Sequence, residues 1–369
     1  MSNESKMSQA SLGPRIDRRT LCGMALMGGL GLIGLANGRV AEAAESADKQ
    51  GGVAASDAQA EPVKASTFAF NTLVNITAYG VDADVVASCI KDCATYENLF
   101  SARKEGAEIV RINEAGGEPV EVSADTADLI AAGLEYGRQT DGAFDITIGS
   151  VSLLWDFINA VKPTDEEIAE GLKHIDYTQV VLDGTTVTMD DPEARLDLGG
   201  IAKGWIAARL VDKLEQAGCT SGLVDLGTSS VYAIGSKPDG SPWRVGLRDP
   251  KDSMSSLAGV VEVRDEAITS SGLYDQEFEL DGQKYWHILD PKTGYPAQTD
   301  MLGVTLIGTD PMQGDALSTT LSVMGIEEGS AWVEKNHPEI AAMFVDQSDE
   351  ATFANGFESH GYMAVKNTK

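Results

Sequence analysis

The chain has 369 residues, enough for one large domain or two of ordinary size, and its apolar fraction of 43% is that of a globular protein rather than a disordered one. A formal net charge of −29 excludes nucleic acid as the expected partner, because such binding draws on a dense Lys/Arg surface that releases phosphate counterions. The same charge means that any phosphate group entering the molecule needs a cation or a cluster of donors to meet it.

Residues 1–44 read as an export signal: Arg18-Arg19, an apolar run over 21–36, then the small residues Ala41, Ala43 and Ala44 suited to peptidase cleavage. Paired arginines before a modest, Gly-rich apolar stretch have the form of a twin-arginine address. The run is short for a spanning helix, and Arg19 stands three before Cys22, where a lipoprotein signal needs an apolar residue. The expected location is outside the cytoplasm, on the outer face of the cytoplasmic membrane or in the cell envelope. Residues 45–66, rich in Ala, Ser, Gln, Asp and Glu without hydrophobic period, read as a flexible tether. Folding is expected to begin near Thr67, and 67–369 contains no linker, so it forms a single catalytic unit of one or two lobes.

Helical periodicity marks 83–100, 124–140 with Ser123 as N-cap, 200–217 and 315–324. In the first of these, Val85, Val86, Cys89, Ile90, Cys93 and Tyr96 share a face, so the cysteines read as small core residues rather than metal ligands. Asp183-Gly184 and Asp281-Gly282, each flanked by strand-forming residues, are hairpin signals. Antiparallel pairing excludes a purely parallel nucleotide-binding sheet, and the expected class is α+β with mixed or antiparallel sheets and packed helices.

The segment Leu196-Asp197-Leu198-Gly199-Gly200-Ile201-Ala202-Lys203-Gly204 runs from an apolar strand through glycines into an amphipathic helix. Exposed N–H groups, the helix dipole and Lys203 suit a phosphate, although a strand-to-helix turn needs glycine for packing alone. In Asp315-Ala316-Leu317-Ser318-Thr319, positions i, i+3 and i+4 turn a carboxylate and two hydroxyls to one side, a sparse hard-oxygen set that suits Mg²⁺; the plain alternative is N-capping. His287, at the end of a strand before Asp290-Pro291-Lys292-Thr293-Gly294, is either a proton acceptor or a structural hydrogen-bonder. His174, His337 and His360 have no HxH or HExxH companion and receive no role.

Together with Phe70-Asn71-Thr72, Phe100-Ser101, Arg111-Ile112-Asn113, Thr140-Asp141-Gly142-Ala143-Phe144-Asp145-Ile146-Thr147, Trp155, Trp243 to Gly246 and Ser270-Ser271-Gly272, these clusters in this order resemble the ApbE-type FAD:protein FMN transferases across nearly all of the chain after residue 67. The resemblance implies that Phe70, Ser101, Gly142, Ala143, Phe144 and Asp145 line a cleft for FAD, the substrate, with Asp197, Lys203 and Ile288 also on it. It implies Mg²⁺ held by backbone carbonyls of Gly200 or Ala202 with Asp315, Thr319 and Ser318, and His287 as general base. The implied reaction moves FMN onto a Thr or Ser hydroxyl of an exported acceptor with an FMN-binding domain, an electron-transfer subunit or reductase, and releases AMP. The nearest alternatives are an FAD pyrophosphatase and an exported FAD carrier. Ala102-Arg103, where the family often has an aromatic residue, and Thr228-Ser229, where it usually has Gly-Asn, depart from the pattern.

Overall fold

The computed structural model describes residues 61–227, 229–251, 256–273 and 276–365. All of them fall within the unit Val53–Lys369. The export signal expected at 1–44 and most of the expected tether lie outside the described residues.

Strands β1 (Val63–Ala69) and β2 (Thr72–Tyr79) open the fold, so pairing starts ahead of Thr67. Helices α1 (Ala83–Phe100), α2 (Glu108–Glu114) and α3 (Ala124–Gln139) follow, with the short strand β3 (Val120–Glu121) between the last two. Helices α4 (Gly149–Ser152) and α5 (Asp165–Gly171), the hairpin of β4 (Val180–Asp183) and β5 (Thr186–Met189), and helix α6 (Ala202–Gln216) lead to β6 (Ser221–Leu226) and β7 (Ser230–Gly235). Next come β8 (Trp243–Arg248), β9 (Leu257–Val263), β10 (Glu266–Gly272), β11 (Glu277–Leu280), β12 (Gln283–Trp286) and β13 (Met301–Gly308). Helices α7 (Pro311–Met324) and α8 (Ile326–Asn336), then β14 (Ala341–Asp346), β15 (Ala351–Ala354) and β16 (Met363–Ala364), complete the described chain.

The main sheet has the order β1-β2-β6-β7-β10-β13-β14-β15, and every neighbouring pair in it is antiparallel, as the α+β reading expects. Both Asp-Gly hairpins form. In one, Asp281 and Gly282 have φ of 53° and 81° between Leu280 and Gln283, the two positive values of a type I′ turn. In the other, the paired residues Asp183 and Thr186 leave Gly184, φ 60°, as the first loop residue.

The main sheet is covered on both faces. Ile234, Ala267, Leu306, Ala342 and Phe344 join the core against the helices, while their alternates Ala233, Ile268, Ile307, Ala341 and Met343 pack with Trp243, Val261, Val263 and Phe357 of a second layer. Period-2 side-chain placement with both faces buried turns the strands into continuous apolar runs such as 341–345. A third cluster, centred on fully buried Trp155, joins Val151 and Ile168 to Phe278, Tyr285 and Leu289.

Helix α1 has the expected bounds, with Cys89 and Cys93 fully buried, and Ser123 caps α3 by accepting the Thr126 N–H. Helix α7 begins ahead of the expected Asp315. Asp310 is its cap, accepting the Met312 N–H at 2.8 Å, and Pro311 supplies a preset φ in the first turn.

Candidate active site

The site grows from the contact of α6 with α7. A Cβ on Gly204 would lie 2.3 Å from the Pro311 carbonyl oxygen and 2.8 Å from Asp315 Cβ, so only glycine lets the two helices close here. Their closeness brings Asp315 Oδ2 to accept the Gly204 N–H at 2.9 Å. One turn earlier, a Cβ on Gly200 would lie 3.3 Å from Thr319 Oγ1 and 3.1 Å from Phe144 Cε2. Residues separated by more than a hundred positions thus meet at one helix N-terminus: Gly200 and Gly204 from one side, Asp315 and Thr319 from the other.

Asp315 sits past the first turn of α7, and the capping alternative falls away because Asp310 performs it. Its side chain is buried, and desolvation pushes its carboxyl above the ordinary carboxylate value; the Lys203 charge and the backbone N–H groups of Gly204 and Lys203 act against that push. A carboxylate in this position favours a cation beside it. The Thr319 hydroxyl donates to the Asp315 carbonyl at 3.3 Å and lies against Gly200, and a carboxylate and hydroxyl together are the kind of oxygen donors that Mg²⁺ accepts. Ser318, expected with the ligands, is fully buried and already partnered: it donates to the Asp315 carbonyl at 3.0 Å and accepts from Ser271 of β10 at 2.8 Å. Asp315 and Thr319 face the 200–204 turn, whereas Ser318 ties α7 to the sheet.

Around this centre, the Lys203 ammonium donates to Ser229 Oγ at 2.9 Å. Asp197 accepts from the Gly199 N–H at 2.9 Å and from Ser152 Oγ at 2.7 Å, which fixes the glycine turn against α4. The loop after α3 turns at Asp141 and Gly142, φ 50° and 76°, and leads into buried Ala143 and Phe144, the ring of Phe144 reaching Gly200. Asp145 is engaged by the loop itself: Oδ1 accepts the Thr147 N–H and hydroxyl at 2.7 and 2.6 Å, and Oδ2 accepts the Tyr177 N–H at 3.0 Å. Burial still pushes its carboxyl up, against those bonds.

Phe70 and Asn71 form the β1–β2 turn with φ of 54° and 57°, an uncommon conformation for a bulky side chain, and the Phe70 N–H donates to Glu97 Oε1 at 2.8 Å. Ser101 ends α1, its hydroxyl accepting the N–H groups of Arg103 and Lys104 at 3.2 and 3.0 Å. Arg103, one of the departures from the family pattern, reaches the carbonyls of Ser152 and Trp155 at 3.0 and 2.9 Å. It therefore holds the same α4 turn that Ser152 ties to Asp197. His287 follows β12 directly and is half-buried, while Ile288 is buried and its carbonyl accepts the Ala297 N–H at 3.0 Å. Trp155 connects this segment to the 142–155 loop by donating from Nε1 to the Gly294 carbonyl at 3.3 Å and packing on Tyr285.

Arg103, Ser152, Ser229 and Ser271 are the supports that sequence reasoning misses. Their partners lie tens of residues away, and each partner is either a backbone carbonyl or a single hydroxyl, ammonium or carboxylate, so no local spacing marks them.

The family model described as "ApbE family" matches residues 70–344. Proteins named FAD:protein FMN transferase are similar to the chain: one from Vibrio cholerae is 32% identical over 72% of this chain and 79% of its own length, and one from Treponema pallidum is 34% identical over 68% and 73%. Among solved structures, the ApbE protein from Thermotoga maritima superposes with a TM-score of 0.74 at 30% identity, covering 81% of this chain and 99% of that one. The flavin transferase ApbE from Vibrio cholerae gives 0.73 at 29% identity, over 82% and 99%.

Proposed function

The chain belongs to the ApbE family, and from that premise we propose that it is an exported, Mg²⁺-dependent FAD:protein FMN transferase acting on a Thr or Ser hydroxyl of an acceptor protein. The observation that carries the metal-dependent part is the meeting of the buried Asp315 carboxylate and Thr319 with Gly200 at the start of α6.

FAD is the substrate, and its pyrophosphate lies by the α6 N-terminus and Lys203, where N–H groups and a cationic side chain offset its charge in a molecule of net charge −29. Asp315, Thr319 and the backbone carbonyl of Gly200 or Ala202 would hold Mg²⁺, with Ser318 keeping α7 in place. When bound, Mg²⁺ offsets charge on the phosphates and on the leaving group. The acceptor hydroxyl oxygen attacks the FMN phosphorus, a new phosphoester P–O bond forms, and the P–O bond to the AMP half breaks. The hydroxyl proton passes to the His287 imidazole, and AMP departs as the phosphate. Phe70, Ser101, Ile288 and the 142–145 loop shape the flavin cleft, so the protein's task is mainly positioning and electrostatics.

The acceptor is an exported electron-transfer subunit or reductase with an FMN-binding domain. Export follows from the reading of 1–44, with 45–66 as a tether leading to the catalytic unit. Product accounting tests the reaction type: with FAD, Mg²⁺ and such an acceptor, AMP should accumulate without matching free FMN. AMP and free FMN in equal amounts would make it a pyrophosphatase, and intact FAD a carrier.

A further inference from the structure

We infer that the chain carries a second cation site, for a first-row divalent metal of the zinc type, formed by His174, Glu170 and Glu193 with Asp191 behind the imidazole. The reading is independent of the flavin site, with which these four side chains share no residue.

His174 Nδ1 lies 2.7 Å from Asp191 Oδ2. When Nδ1 carries the single ring proton and donates it to the carboxylate, the Nε2 lone pair points the other way, the arrangement that orients and enriches an imidazole ligand. Nε2 is shielded from solvent and makes no hydrogen bond. What faces it are two more carboxylates: Glu193 Oε2 at 3.4 Å and Glu170 Oε1 at 3.9 Å, with one donor atom from each of the three residues mutually within 4.8 Å. Two carboxylates beside Nε2 call for a positive charge between them, which either a proton on Nε2 or a metal ion supplies. Donors around a tetrahedral ion with bonds of about 2.0–2.1 Å stand about 3.3–3.4 Å apart, so the Nε2–Glu193 spacing is already that of a shared ion.

The surroundings leave each donor in position. Glu170 gives its other oxygen to Lys173 at 2.5 Å, and Asp191 Oδ1 accepts the Glu193 N–H at 2.9 Å. Ser150 stitches the two chain segments by donating to the His174 carbonyl at 3.0 Å and accepting the Arg195 N–H at 3.0 Å. An imidazole nitrogen beside two carboxylates selects Zn²⁺-like ions over Mg²⁺ or Ca²⁺, and the exposure of Glu170 and Glu193, 62% and 70%, leaves a further position for water. In the sequence the ligands arise from an i, i+4 pair across the end of α5 and from a turn beyond β5, a spacing that matches no common metal motif.

The test is titration of the chelator-treated full chain with Zn²⁺ against a chromophoric chelator, in millimolar Mg²⁺ to occupy the hard-oxygen site. One equivalent should bind. His174→Gln and Glu193→Gln should each weaken it about tenfold or more, Asp191→Asn by about ten- to a hundredfold, and Asp315→Asn should leave it unchanged. Glu193 is exposed, so its variant carries the test if His174→Gln fails to fold. Absence of one-equivalent binding, retention of full affinity in Glu193→Gln, or its loss in Asp315→Asn would overturn the proposal.

Discussion

A carboxylate as deeply buried as that of Asp315 pays for desolvation unless a cation answers it. Its carboxyl is pushed above the ordinary value, so between the unfolded and folded values the native state binds more protons than the unfolded state. Stability from this group therefore falls as pH rises through that window. Asp315→Asn keeps an oxygen for the Gly204 N–H and removes the charge. Its melting temperature in chelator should equal or exceed that of the parent at neutral pH, while the gain on adding Mg²⁺, about 2.7 kcal/mol for the parent at a hundred times Kd, should vanish together with turnover. A variant that still gains stability and turns over with Mg²⁺ would place the ion elsewhere. His287→Ala should lower kcat by about 10²–10⁴ with the KM for FAD little changed, as loss of a general base does. Loss of FAD binding by a folded variant would instead make His287 part of the cleft.

At the scale of elements, the α6–α7 contact sets the geometry of the proposed metal residues. Gly204→Ala places a methyl group 2.3 Å from the Pro311 carbonyl oxygen, which the helices can accept only by separating. The expected loss is about 1–3 kcal/mol in denaturant unfolding, with a weaker melting response to Mg²⁺ because Gly200 and Thr319 move apart. Unchanged stability and an unchanged Mg²⁺ response would show that the contact is slack.

Much of this level was legible in the sequence. Helix α1 has a clean apolar face, and the residues Asp315 and Thr319 stand at the i, i+4 spacing that helices turn to one side. The start of α7 was less so, because Asp310-Pro311 signals it ahead of the chemically conspicuous Asp315. The strands of the main sheet lacked alternation because Leu306 and Ile307, or Met343 and Phe344, are buried on opposite faces. The supporting roles of Arg103 and Ser152 were not legible, since they lie in reaching carbonyls and a carboxylate that only folding brings near.

For the whole molecule, a twice-covered antiparallel sheet holds α6 and α7 on one face, and the Trp155 cluster anchors the 285–297 segment beside the 142–155 loop. Residues from distant parts of the chain, Phe144, Gly200, Lys203, Asp315 and Thr319, meet in one place on a protein whose net charge of −29 repels phosphates elsewhere. The proposed function requires of this site a cation beside the FAD phosphates and a second protein to receive the FMN. The intact mass of an FMN-binding-domain acceptor, after incubation with this protein and FAD with and without Mg²⁺, tests that most directly. A gain of one FMN residue only in the presence of Mg²⁺ is the predicted result; an unmodified acceptor alongside consumed FAD, or modification that proceeds equally in chelator, would contradict it.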